Sequence, residues 1–272
     1  MTPVQVVEGQ RVWSRRDRRT ALLTWLAWFA GTAVVAGCWQ VIAAQTLWPF
    51  VWDAPAQAAD LLTRMWPPRW SYLPRLWRPL WDTINIATLG TLLGILMATP
   101  LALLAARNTS PSAALFRPLA LLLIVASRSI NSLIWALLLV TILGPGILAG
   151  ILAIALRSVG FVGKLLYEAI EEVDPGQVEA VQATGASRAQ VLAYGMAPQV
   201  MPAFAGISVY RWDINIREST VLGLVGAGGI GLQLQASIDV LAWPQVTVIF
   251  ALVFATVLAS EWVSARVRRA VT

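Results

Sequence analysis

The 272-residue chain has no histidine and a single cysteine, Cys38. Without histidine it lacks the commonest general base, the commonest metal ligand and the usual proton-relay side chain. A lone cysteine cannot form an intrachain disulfide. Charge is also scarce: Asp, Glu, Lys and Arg make up 12% of the residues, against 58% hydrophobic. There is no GxxxxGK[ST] phosphate loop, and the nearest approach, Gly160 to Gly163-Lys164, has the wrong spacing. These absences speak against a hydrolase, a metalloenzyme or a chain that hydrolyses ATP by itself.

What the chain does have is long apolar runs. With a mean hydropathy of +0.68, it falls among polytopic membrane proteins. One crossing of the hydrocarbon core takes ~20 apolar residues. Six passages are expected, at 22–46, 81–106, 129–143, 147–166, 200–224 and 246–265. Arg11, Arg15, Arg16, Arg18 and Arg19 precede the first, and Arg266, Arg268 and Arg269 follow the last. The positive-inside rule then puts both termini in the cytoplasm, which requires an even number of spans. The net charge of +6 thus reports topology, and nucleic acid is not an expected partner. A signal peptide at 21–41 is the weaker reading, because no small-residue cleavage site precedes a soluble mature chain.

The expected fold is an all-α polytopic membrane protein of about six transmembrane helices. Its parts are a basic cytoplasmic N-terminus (1–21), a first transmembrane helix (22–46), an external segment (47–80) and a core (81–269). The external segment holds five of the fourteen tryptophans (Trp48, Trp52, Trp66, Trp70 and Trp77). Indole rings favour the headgroup region, so 56–66 reads as an amphipathic helix on the outer interface. The apolar run 116–126 is too short to cross. It reads as an elbow at the cytoplasmic face with Arg128 at the interface, since a mid-bilayer charge costs ~2.5–3.5 kcal/mol on insertion scales. Gly144-Pro145-Gly146 reads as an external turn.

The fifth passage is unusually polar. Arg211, Asn215 and Glu218 share one helical face, while Asp213 and Arg217 share another. The pairs Arg211–Glu218 and Asp213–Arg217 would leave the segment nearly neutral and lock it into a bundle. The other reading is a polar translocation pathway whose guanidinium groups offer bidentate contacts to an oxyanion, with Glu218 weakening such a site. Beyond this passage, Gly226, Gly228 and Gly231 satisfy GxGxxG, but no strand precedes them and no βαβ unit surrounds them. With Gly229 they read as close packing or as a gate or hinge.

One polar island, 168–198, must lie outside the lipid. It is amphipathic and helical in pattern, interrupted at Asp174-Pro175-Gly176 and again before Pro198. Ala180, Ala183, Gly185 and Ala186 keep one surface small enough for close docking. Glu179, Ala180, Gly185 and Pro198 fall at the spacing of the EAA signature, and the segment resembles that of ABC-importer permeases; Val181, Gly195 and Ala197 depart from it. Further stretches, Ser127-Arg128-Ser129-Ile130, the run from Glu168 to Ala180, Ala183-Thr184-Gly185-Ala186-Ser187, Tyr210-Arg211-Trp212 and Asn215 to Gly231, resemble the phosphonate-importer permease subfamily. The resemblance covers residues 80 to 269.

The resemblance implies a type I permease fold in the bacterial inner membrane, with residues 180–197 as a coupling helix docked in a cleft of the ATP-hydrolysing subunit. It also implies a second copy of the chain, two ATP-binding cassette subunits and a periplasmic substrate-binding protein. ATP and Mg would sit on the partner subunit, with no cofactor or metal in this chain. The cargo would be a phosphonate, phosphite or hypophosphite. Two other classes compete. An ion-driven secondary transporter would show hydropathy repeats and midplane carboxylates. A membrane-embedded headgroup-modifying enzyme would gather acids at one interface, where Glu168, Glu171, Glu172, Asp174 and Glu179 are the candidates.

Overall fold

The computed structural model describes residues 4–7, 10–13 and 18–271. It divides into two compact units, residues 1–60 and 61–272. In the first, β1 (Val4–Val7) and β2 (Gln10–Trp13) form an antiparallel hairpin, with Val4 opposite Trp13. This hairpin departs from an entirely helical expectation. Arg15 and Arg16 lie outside the described residues. Helix α1 (Arg18–Gln45) is long and apolar enough to cross a membrane. Helix α2 (Trp48–Met65) is amphipathic, has no buried residue and runs on into the second unit.

The second unit holds α3 (Leu73–Ala105), α4 (Phe116–Ser129), α5 (Ser132–Leu143), α6 (Ile147–Glu171), α7 (Pro175–Ala183), α8 (Arg188–Gln190), α9 (Ala197–Leu222), α10 (Ile230–Asp239) and α11 (Trp243–Val271). Four helices are long and apolar enough to span: Arg19–Gln45, Trp70–Ala105, Ile147–Glu171 and Trp243–Ala270. Two bent pairs, α4 with α5 and the 188–225 stretch with α10, raise the number to six if each is one span.

Helix α3 starts at Leu73, so residues 73–80 are helical and continuous with the second span. Pro74 sits in the first turn, where its missing N–H costs nothing. One turn apart, Leu76 and Leu80 are then buried against Ile230, Val248 and Ile249. At 33 residues, α3 measures roughly 50 Å, well beyond a ~30 Å core, so its ends project outside the lipid.

The third span differs most from expectation. Where one span was expected over 129–143, helix α5 covers only 132–143, and α4 precedes it at an 88° bend. Arg117 donates to the Ala105 carbonyl and pairs with Glu171, which fixes the start of α4 at the cytoplasmic ends of α3 and α6. Helix α4 then climbs α6 antiparallel, burying Ala120 and Ile124, and Arg128 stops against Gly160. The expected elbow is therefore a helix packed along α6, and Arg128 lies level with the middle of α6 rather than at its end. The apolar run of α4 is too short to cross alone but long enough to reach mid-depth.

Helices α3 and α6 approach closely through small residues, as membrane helices do when backbone contact replaces a hydrophobic driving force. A Cβ on Gly94 would meet Ser158 Cβ at 2.5 Å, and one on Gly160 would meet the backbone of Arg128 and Ile124 at 2.6 Å. Gly160→Ala should therefore push α4 off α6, destabilising the chain by about 1–3 kcal/mol. Thermal melting in detergent would register a lower Tm, whereas Gly31→Ala, with nothing within 4 Å, should leave the Tm unchanged or slightly raised.

Candidate functional site

A polar layer crosses the second unit where α3, α6 and α9 meet. Thr91, Ser158 and Arg211 lie thirteen or fourteen residues from the cytoplasmic ends of their helices. At 1.5 Å per residue this puts all three about 20 Å in, near the middle of a span. Arg211 is 2% exposed. Its Nε donates to Ser158 Oγ at 3.0 Å, its terminal nitrogens reach Glu218 at 3.3 and 3.4 Å, and its guanidinium lies 5.2 Å from the centroid of the Phe161 ring. Asn215 donates to Thr91 Oγ1 at 2.7 Å and to Ser158 Oγ at 3.1 Å. The opposite face of α9 carries the second pair, Asp213 with Arg217, and Ser260 on α11 donates to Asp213 at 2.7 Å.

Both expected ion pairs form, but they differ in setting. Arg211 and Asn215 are enclosed between α3 and α6, so neither presents a free face to an open path. Glu218 is partly buried, and Arg217 has 48% of its side chain exposed. The arrangement binds three helices together by charge-assisted hydrogen bonds whose partners hold each other out of lipid.

Sequence reasoning passed over Arg157, in the middle of α6. Its Nη1 donates to the Arg128 carbonyl at 3.0 Å and the Ile130 carbonyl at 3.1 Å, satisfying backbone left open where α4 breaks. Neither Arg128 nor Arg157 has a carboxylate partner among the described residues. A guanidinium facing hydrocarbon at this depth costs ~2.5–3.5 kcal/mol on insertion scales. The available signal was a single charge inside an otherwise apolar span.

The polar island is two helices rather than one over 180–197. Asp174 caps α7 by accepting from Gly176 N at 2.9 Å. Helix α7 ends because Gly185 adopts φ +80°, a left-handed conformation that glycine enters without a Cβ penalty, and its N–H returns to the Gln182 carbonyl at 3.0 Å. Ser187 and Gln190 then form a capping box that starts α8. A wider turn over Val191–Met196 leads into α9, with Pro198 in its first turn. Glu179, Ala180, Ala183, Gly185, Ser187 and Pro198 are exposed, and Ala186 is half-buried. Beneath them a cavity of about 1030 Å³ is lined by Asn108, Glu171, Glu179, Gln182 and Arg188, among others.

The acidic run does not gather into a metal centre. Glu171 accepts from Arg107 N at 2.9 Å and pairs with Arg107 and Arg117, and Glu168 pairs with Lys164. Among the described residues no group of three His, Cys, Asp or Glu could hold a metal ion. The glycine loop is packed tightly: Ile230 N donates to Thr83 Oγ1 at 2.7 Å and Gly146 N to the Gly226 carbonyl at 3.0 Å. Gly226, Gly228 and Gly229 all have positive φ, and Gly231 lies against Gly223 and the Thr220 carbonyl.

The second unit thus sets a buried polar layer within a framework of long apolar helices, with an exposed helix pair at one end. A family model described as the binding-protein-dependent transport system inner membrane component matches residues 90–271. The phosphite transport system permease protein PtxC of Stutzerimonas stutzeri is 40% identical over 226 residues, covering 82% of this chain and 80% of that protein. The putative phosphite permease protein HtxC of the same organism is 40% identical over 209 residues, 77% of this chain and 74% of that one. A chain of the inward-facing MetNI methionine ABC transporter superposes with a TM-score of 0.63 at 21% identity, over 72% of this chain and 96% of that chain. That likeness shows the fold.

The chain belongs to the binding-protein-dependent transport system inner membrane component family. It is an integral multi-pass permease subunit of an ABC importer, a type that works with ATP-binding cassette subunits and a substrate-binding protein. Family membership sets aside both the ion-driven transporter and the headgroup-modifying enzyme.

The enclosed pair makes a testable demand. Glu218→Gln leaves Arg211 buried without its counter-charge and should destabilise the second unit by about 3 kcal/mol. Replacing both residues together, Arg211→Met with Glu218→Leu, should recover most of that loss, as read from detergent melting temperatures of the two single variants and the double.

Proposed function

We propose that the chain is the homodimeric permease of an importer for a small phosphorus oxyanion, a phosphonate, phosphite or hypophosphite. The observation that carries this reading is 40% identity to a phosphite permease over about four-fifths of both chains. The substrate-binding protein would select the cargo outside, and the permease would provide an alternating path. The location is the bacterial inner membrane with both termini cytoplasmic, in keeping with arginines at each end of the chain. Two ATP-binding cassette subunits carry ATP and Mg, and this chain needs no cofactor of its own.

Energy enters through residues 175–198. The exposed Ala180 and Ala183 allow a partner surface to approach the backbone, and Gly185 and Ser187 set the angle between α7 and α8. Because the Val191–Met196 turn continues into α9, displacement of the coupling pair moves the helix bearing Arg211, Asp213, Asn215, Arg217 and Glu218. The loop containing Gly226, Gly228, Gly229 and Gly231 acts as the outer hinge between α9 and α10. Arg217, the exposed member of the second pair, borders the path.

The test is ATP hydrolysis by the complex purified from its native membrane, with its binding protein and methylphosphonate, phosphite, hypophosphite or phosphate added in turn. Stimulation by one of the first three is the expected result. Stimulation only by an unrelated cargo would overturn the substrate assignment. Ala183→Arg places a bulky cation on the exposed end of α7 without burying it. It should reduce co-purification of the ATPase subunit about tenfold or more while the chain still inserts, and an unchanged yield of complex would remove this surface from the coupling role.

A further inference from the structure

We propose that Arg128 and Arg157, at the break between α4 and α5, form the anion waypoint of the permease, and that Arg211 does not. The inference rests on the oxyanion reading above and names the residues that would meet the cargo. Four arginines approach the middle of the second unit, and the structure separates them by partner. Arg211 is enclosed with Glu218, Ser158 and Phe161. Arg217 is neutralised by Asp213. Arg128 and Arg157 have no carboxylate within ion-pair distance among the described residues, and the nearby acid Glu218 is already taken by Arg211.

Geometry leaves these two available. Arg157 spends Nη1 on the carbonyls of Arg128 and Ile130, and among the described residues its Nη2 and Nε edge makes no hydrogen bond. The Arg128 side chain is exposed. Helix α5 begins immediately beyond, capped by Asn131, and its N-terminal dipole adds positive potential at the same break. Two guanidinium groups and the start of α5 therefore meet at mid-span, faced by the carbonyl end of α4 but by no carboxylate among the described residues. Charged groups and irregular backbone at this depth are tolerated where they line a water-filled path or are buried in protein, not against lipid. A small phosphorus oxyanion would supply the missing charge and accept a bidentate contact. The site would hold it weakly, since a conducting path must also release it.

A purely structural role for Arg157 as the cap of α4 predicts something different, and one substitution separates the two. Arg157→Gln keeps amide donors for the two carbonyls but removes the charge. Arg157→Lys keeps the charge. The complex with its ATPase subunits would be reconstituted in proteoliposomes with the binding protein, and uptake of radiolabelled phosphite, methylphosphonate and phosphate measured. R157Q should lower uptake about tenfold or more while still co-purifying with the ATPase, and R157K should recover most of it.

Wild-type uptake by R157Q overturns the waypoint and leaves Arg157 as a cap. If R157Q does not assemble, R128Q decides by the same measurement: loss of uptake in an assembled complex supports the waypoint, and normal uptake overturns it. A wild-type complex that takes up none of the three anions overturns the oxyanion reading, and this site with it.

Discussion

The enclosed guanidinium of Arg211 is the contact on which the rest of the core depends. It ties α9 to α6 through Ser158, while Asn215 carries the connection to α3 through Thr91. A charge at that depth has no inexpensive alternative, so the three helices are held in one rotational and axial register. Apolar packing alone would be more forgiving, because lipid chains compete with leucine side chains for the same surface. The small residues of α3 and α6 complement this by letting the helices approach closely enough for short polar side chains to meet.

A second polar contact holds the bend between α4 and α5. Helix α4 stops at mid-depth, leaving carbonyls that need donors, and Arg157 supplies them from α6. A break in a spanning helix is tolerated when neighbouring protein satisfies the freed backbone groups. The bend therefore replaces an unbroken apolar helix with a polar notch.

Two regions lie some 20 Å apart along α9, by its rise per residue: the coupling pair at the cytoplasmic end and the polar layer at mid-span. They are joined by continuous helix from the Val191–Met196 turn onward. The neighbouring ends of α3 and α4 are meanwhile tied by Arg107, Asn108 and Arg117 to the last turn of α6.

Much of this was legible in the sequence. Apolar runs marked most of the helices long enough to cross, and spacing along α9 both ion pairs. These features are local or periodic, so a single strand of sequence carries them. The partners of Arg211 beyond its own helix, the depth of Arg128 and the role of Arg157 were not legible. Each depends on which residues of separate helices arrive at the same level, and no periodicity within one helix encodes that. Likewise Gly185 suggested close docking, whereas its backbone angle divides the segment into two helices. Sequence determined that this chain crosses a membrane and where its charges lie. Tertiary structure decided which charges neutralise one another and which remain open, because pairing is a matter of distance between helices.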